Sequence, residues 1–298
     1  MSIKNHLKPV AYWTLPPGIK NTILEIYQNI IIRKTDPYLT EIKSLAKKNS
    51  LFKNKHHGER CFILATGPSI TEQDLSLLKG ELCIAVSSFF MHKDIKKINP
   101  QYHVIPPNHP PFTFDKYYHY FKGFNNYYSD EMIYFFGYRP YKFSVLNFLK
   151  QYPEEKIKNI YFLNYCLSKQ LNKINYKQSN IWDICKCPFG VRTVIYTAIQ
   201  IAFYMGCKQI YLLGCDHDYL NNTSQITNRH FYKDEDTVSD VEHLKGVTQE
   251  RWFQGYYHLW LEYRLMREYL NLNGCQIYNA TKGGMLDVFP RVEFANIF

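Results

Sequence analysis

Residues 189–219 read FGVRTVIYTAIQIAFYMGCKQIYLLGCDHDY. An apolar helical pattern opens after Gly190 and runs to Gly206. A continuous apolar run, KQIYLLG at 208–214, follows at once. A strand that is apolar at every position has both faces covered, as in a parallel sheet. This one delivers Asp216, His217, Asp218 and Tyr219 at its carboxyl end, where open α/β sheets bind their ligands. Three polar residues straight after a buried strand are hard to explain by packing alone. Asp216 and Asp218 also form an Asp-x-Asp pair, whose oxygens suit a divalent metal.

The same texture recurs on both sides. CFILA (61–65), ELCIAV (81–86), YHVI (102–105), EMIYFF (131–136), KNIYFL (158–163) and CQIYNA (275–280) are further apolar runs. Helical patterns at 71–79, 192–205 and 251–273 lie between several of them. The alternation predicts a Rossmann-like α/β fold, a mostly parallel sheet with helices on both faces. Residues 58–298 form the expected catalytic domain. Residues 1–57 read as an appendage: a helical pattern at 19–32, a second at 39–48, then the basic linker KKNSLFKNKHHGER at 47–60. The first helix suits docking on the domain or on an anionic membrane surface. The polar segments 164–183 and 219–248 are long for loops and suit lids or acceptor-binding elements.

Composition narrows the function. The 298 residues hold 36 Lys and Arg against 26 Asp and Glu, a net charge of +10, which suits anionic partners. The 26 Tyr and 20 Phe, interleaved with Lys, suit either a single-strand nucleic-acid surface or an aromatic core. No signature of an RNA-recognition, helix-turn-helix or zinc-finger module accompanies them, so no nucleic-acid partner is expected. No apolar stretch is long enough to span a membrane, and the first twenty residues lack the apolar run of a secretory signal. Cys61, Cys83, Cys215 and Cys275 lie in or beside strands as buried hydrophobes, and Cys185 and Cys187 lack metal or redox spacing. A reducing, cytoplasmic setting follows.

Three more segments carry candidate chemistry. In CFILATGPSITEQDLSLLKG (61–80), Thr66, Gly67, Pro68 and Ser69 end a strand, and Ser69 with Glu72 fits a capping box for a helix. Gly67 lets backbone approach a ligand, and the helix start would offer N–H groups to an anion. The segment is neither G-x-G-x-x-G nor a P-loop, which argues against NAD and P-loop ATPase chemistry. NRHFYKDED (228–236) places His230 and Tyr232 one lid length from Asp218. Residues 250–294 hold His258 near the start of a long helix, then a strand and the turn Asn279-Ala-Thr281-Lys-Gly283-Gly284, suited to sugar or phosphate oxygens. His258 fits a core histidine as well as a base. The aromatic face at 256–269 suits a second subunit of a homo-oligomer as well as the core.

The order of these segments resembles a known family. A strand running into T-G-P-S-I, then G-C-K-Q-I-Y-L-L-G-C-D, then I-Y-N-A-T-K-G-G, looks like the family named after the archaeal 6-hydroxymethylpterin diphosphokinase, whose domain is shared by motility accessory factors. The first two segments are similar to bacterial CMP-sialic acid-dependent sialyltransferases. This chain has Ala65-Thr66 where those enzymes have Gly-Asn, and Ser87-Ser88 where an asparagine is expected. The resemblance implies an inverting glycosyltransferase. It would move a sialic acid-like nonulosonic acid from a CMP donor to a glycan or lipid-linked acceptor of a capsule or lipopolysaccharide. No cofactor would be required, and the protein would work in the cytoplasm, peripheral at the membrane. Thr66, Gly67, Pro68, Ser69, Ser87, Ser88, Gly190, Arg192, Asp216, His217, Tyr219, Tyr232, Asn279 and Thr281 would hold the donor. His258 would be the general base, with His230 its rival, beside Asp216. The alternatives are a Mg²⁺-dependent diphosphokinase acting on a pterin-like alcohol, with the metal at Asp216 and Asp218, and a non-enzymatic nucleic-acid-binding module.

Overall fold

The computed structural model describes residues 36–218, 230–232 and 247–298. Each of the seven apolar runs becomes a strand: β1 (Arg60–Leu64), β2 (Cys83–Val86), β3 (Tyr102–Ile105), β4 (Ile133–Tyr138), β5 (Ile160–Asn164), β6 (Gln209–Leu213) and β7 (Gln276–Asn279). They form one sheet in the order β5-β4-β3-β2-β1-β6-β7, and every pairing is parallel. The fold is therefore the expected Rossmann-like α/β arrangement. The strand order reverses between β1 and β6, so the crevice above their carboxyl ends is the topological switch point.

The helices are α1 (Leu39–Lys47), α2 (Ile95–Ile98), α3 (Asp115–Tyr127), α4 (Val145–Gln151), α5 (Val194–Tyr204) and α6 (Gln249–Leu272). Side chains alternate across each strand, so each apolar run feeds two cores. On one face Cys61, Ile63, Ile84, Val86, Val104 and Ile210 meet α5 and α6. On the other, Phe62, Leu64, Cys83 and Leu213 meet Ile70, Leu75, Leu78 and Ile95, while Ile105, Tyr134, Phe136 and Phe162 meet α1, α3 and α4. The aromatic richness goes largely into this second face: Tyr117, Tyr120, Phe121, Phe124 and Phe148 are all buried. In α6, Tyr263, Met266 and Tyr269 are buried against the sheet, and Phe253 and Tyr257 are exposed.

Two local expectations change. Residues 71–79 form no α-helix; two short 3₁₀ turns, Pro68–Glu72 and Leu75–Leu78, connect β1 to β2. The capping box is not made, because the Ser69 amide donates to Asp216 (3.2 Å) and Glu72 pairs with Lys282 (3.0 Å) instead. Residues 36–57, grouped by sequence with the N-terminal appendage, lie against the sheet. Ile42 and Ala46 of α1 are fully buried, and the Asn49 amide donates to the carbonyls of Phe162 (2.9 Å) and Ile184 (2.8 Å). The helical pattern at 19–32 lies outside the described residues. Among the described residues no helix is long and apolar enough to cross a membrane.

Candidate functional site

A cleft of about 270 Å³ opens at the carboxyl ends of the strands. Thr66 and Gly67 line it after β1, Ser87 after β2, Asn108 and His109 after β3, Arg139 after β4, and Asp216, His217 and Asp218 after β6. Arg192 and Thr193 line it at the start of α5, and His230 and Tyr232 close one side.

The β1–β6 corner is the most tightly built part. The Gly67 amide donates to the Gly214 carbonyl (2.9 Å), tying the two strand tips together. A Cβ on Gly67 would stand 1.8 Å from Asp216 Oδ2 and 2.4 Å from the Gly214 oxygen, so only glycine fits. Asp216 is only 7 % exposed. Its Oδ1 accepts the Ser69 N–H, but its Oδ2 has no hydrogen-bond partner, and neither has the buried Ser69 hydroxyl. Burial pushes the Asp216 carboxyl up, against the pull of the Ser69 amide. Native structures rarely bury polar atoms without partners, which sets these two atoms apart from the rest of the corner.

Two residues in the cleft wall hold left-handed backbone without being glycine: Ser87 (φ 51°) and His217 (φ 48°). Such strain persists only where the surroundings enforce it. Fully buried His103 on β3 holds the Ser87 carbonyl at 2.7 Å through Nε2 and meets the Tyr128 hydroxyl at 2.8 Å through Nδ1. Burial depresses it to about 3, so it is neutral; Nε2–H donates to Ser87 and Nδ1 accepts from Tyr128. His217 Nε2 meets the Tyr263 hydroxyl at 2.8 Å, and burial holds this histidine at about 4.

The residue before Tyr263 steadies a second cleft residue. Glu262 is fully buried on α6, and its Oε2 stands 3.2 Å from Arg192 Nε. Burial raises the Glu262 carboxyl, and Arg192 opposes that rise. One turn of α6 thus braces both Arg192 and His217. On the opposite side Thr66 Oγ1 and His230 Nδ1 are 2.8 Å apart, and the His230 ring lies on Tyr232 with centroids 5.0 Å apart and planes at 4°.

Of the residues expected from sequence, the cleft brings together Thr66, Gly67, Ser87, Arg192, Asp216, His217, Asp218, His230 and Tyr232. Pro68, Ser69 and Ser88 lie just behind it, and Gly190 precedes the lining residue Val191. Asn279 and Thr281 are buried beneath the strand tips: Asn279 donates to the Leu286 carbonyl (2.8 Å), and Thr281 Oγ1 accepts the Cys215 N–H (3.0 Å). His258 is half-buried on α6 and does not line the cleft; burial, then Arg192 and Lys173, depress its imidazole. Tyr219 lies outside the described residues. Sequence reading missed Asn108, His109, Lys116 and Arg139, although three of them stand directly after β3 or β4 or close behind. Among the described residues no group of three His, Cys, Asp or Glu is gathered to hold a metal; Asp216 and Asp218 are the pair a Mg²⁺ shared with substrate phosphates would use.

No curated protein matches this sequence. Solved structures that match over most of its length include two of one sialyltransferase. The sialyltransferase CST-II in complex with a trisaccharide acceptor and CMP is 14% identical, with 78% of this chain and 86% of that chain covered and a TM-score of 0.41. A tyrosine-to-phenylalanine variant of CST-II in complex with CMP is 14% identical, with 78% and 85% covered and a TM-score of 0.44. A family match extends over residues 36–222, more than half of the chain, and on that ground the chain belongs to the 6-hydroxymethylpterin diphosphokinase MptE-like family.

Proposed function

We propose that this protein is a glycosyltransferase that takes a nucleotide-activated sugar into the β1–β6 corner of the cleft. The observation that carries the reading is the buried Asp216 Oδ2, unpartnered beside Gly67 at the switch point. A ribose hydroxyl is a donor that would satisfy it, and Thr66 and Gly67 line the cleft wall where the attached phosphate would lie. Arg192, braced by Glu262, supplies positive charge for the phosphate as it leaves. His230 takes the proton of the acceptor hydroxyl, which is worth roughly 10²–10⁴-fold. The acceptor oxygen bonds to the anomeric carbon, the bond from that carbon to the phosphate oxygen breaks, and the nucleotide departs with the electron pair. His230 is favoured over His258 because it lines the cleft.

The sequence resemblance at residues 66–69 and 208–216 supports a CMP-linked, sialic acid-like donor. The acceptor is a glycan or lipid-linked glycan of a surface polysaccharide, and the net charge of +10 favours approach to an anionic membrane from the cytoplasmic side. Family membership favours a second reading, diphosphoryl transfer to a pterin-like alcohol, with Mg²⁺ held by Asp216 and Asp218.

A thermal-shift series with CMP, CDP, UDP, GDP and ATP, each with and without Mg²⁺, separates the readings, since a ligand of the folded state raises apparent stability. Stabilisation by CMP without metal is expected. Stabilisation by ATP alone, and only with Mg²⁺, transfers the assignment to the diphosphokinase. His230→Ala is expected to lose transfer while keeping CMP binding; full activity in both His230→Ala and His258→Ala ends the histidine-base mechanism.

A further inference from the structure

The far side of the cleft carries charge that nucleotide binding at the β1–β6 corner does not use. Arg139 follows β4 directly, lines the cleft and is half-buried. No carboxylate pairs with it among the described residues. A guanidinium cannot shed its proton to escape partial burial, so this site keeps a permanent positive charge. Lys116, in the first turn of α3, lines the same wall, and its Nζ stands 3.7 Å from the ring centre of buried Phe112.

Strand order keeps this charge apart from the acids. Asp216 and Asp218 both follow β6, which is four strand positions from β4. At the usual spacing that is about 19 Å, too far for an ion pair. Thr66 and Gly67, after β1, are three positions away, about 14 Å. A phosphate held at their backbone does not reach Arg139; a group attached to that phosphate, or an acceptor lying next to it, does. We infer that Arg139 and Lys116 form a second anion subsite, which takes a carboxylate or phosphate on the part of the substrate remote from the nucleoside. The substrate class narrows accordingly to one with two anionic groups, the nucleotide phosphate and a charge on the transferred sugar or the acceptor. That narrowing rests on the nucleotide reading; the subsite itself does not.

The test uses the full chain and two simple probes, N-acetylneuraminate for a sugar carboxylate and glycerol phosphate for a phosphate monoester. Each is titrated into wild type, Arg139→Gln, Arg139→Lys, Lys116→Gln and Arg192→Gln by calorimetry, with CMP titrated separately. Arg139→Gln is expected to weaken one probe at least tenfold and Lys116→Gln severalfold. Arg139→Lys retains part of that affinity, and the Arg139 variants bind CMP within twofold of wild type. The probe that suffers identifies the anion. Wild type that binds neither probe, equal binding by wild type and Arg139→Gln, or a loss seen only in Arg192→Gln overturns the subsite. Wild type that binds a probe but not CMP leaves the subsite standing and sinks the nucleotide reading.

Discussion

The β1–β6 corner of the cleft is shaped by backbone, whereas its β3–β4 side is shaped by side chains. At the corner, Gly67 and Gly284 crowd around Asp216 and Gly214 crowds the end of β1: a Cβ on Gly284 would stand 2.5 Å from the Asp216 carbonyl oxygen, and one on Gly214 2.8 Å from that of Ala65. On the other side, Arg139 and Lys116 reach into the cleft from β4 and α3 and present charge. One added methyl group should therefore disable the first region, while the second should respond to charge and tolerate changes of shape.

The largest effect on binding is expected from Gly67→Ala. The new Cβ would overlap Asp216 Oδ2 at 1.8 Å, and the neighbouring Gly214 oxygen at 2.4 Å leaves no escape. We expect loss of CMP binding by about 100-fold or more and destabilisation of about 2–3 kcal/mol, the upper part of the usual range for overpacking. Gly283→Ala is the matched control. It also has left-handed backbone (φ +68°), but no atom lies within 4 Å of its added Cβ, so it should cost about 1–2 kcal/mol and spare binding. Urea unfolding and CMP titration check both. Equal binding by the two variants would break the distinction between corner and turn.

The next effect comes from the brace behind the corner. Arg192→Gln leaves the Glu262 carboxylate buried without its cation, while Glu262→Gln leaves a partly exposed arginine that water can serve. Breaking a buried pair from the side that strands a charge costs about 3 kcal/mol or more. We expect roughly that for Arg192→Gln, under about 1 kcal/mol for Glu262→Gln, and recovery of most of the loss in the double variant. Glu262→Gln should still raise KM for the donor about tenfold at nearly unchanged stability, because Arg192 loses its anchor.

A smaller effect separates the histidines from the acids. His217 falls from an ordinary 6.5 to about 4 on folding. Its contribution is therefore fully present above about pH 6.5 and fades as pH drops toward 4, a loss of about 2 kcal/mol by pH 5. His103, held near 3, acts in the same direction. Asp216 and Glu262 are raised, so their contributions are present below the ordinary carboxylate range and are lost as pH rises. Denaturant midpoints of wild type and His217→Asn between pH 8 and 5 isolate the histidine: the variant should show the shallower fall on acidification.

The same contrast explains what could be read in advance. All seven strands were legible because a parallel sheet buries both faces and leaves unbroken apolar runs. Helix α3 was harder to see: its buried positions 117, 120, 121 and 124 keep helical spacing, but they are aromatic and sit among Asn, Lys and His. The helix expected at 71–79 failed for a non-local reason, since the amide that would have joined its cap is claimed by Asp216, 147 residues away. Asn279 and Thr281 look from sequence like ligand groups, and in the fold they secure the tips of β6 and β7. Arg139 was legible in principle. The rule that drew attention to Asp216, polar residues just after a buried strand, applies equally to the residue after β4.

The smallest expected change in stability belongs to Asp216→Asn. The amide keeps an oxygen for the Ser69 N–H and removes a charge that burial opposes. At neutral pH the variant should therefore equal wild type or exceed it by up to about 1 kcal/mol, and near pH 4 the advantage should shrink as the wild-type carboxyl takes up its proton. CMP affinity should fall about tenfold or more, because a buried carboxylate oxygen without a partner is the group a ribose hydroxyl would meet. A variant that is more stable and binds less marks a residue kept at a cost to the fold for the sake of a ligand. A variant that is less stable and binds normally would mean that Asp216 serves only to tie Ser69 to β6, and the backbone-shaped corner would then be a tight turn rather than a site.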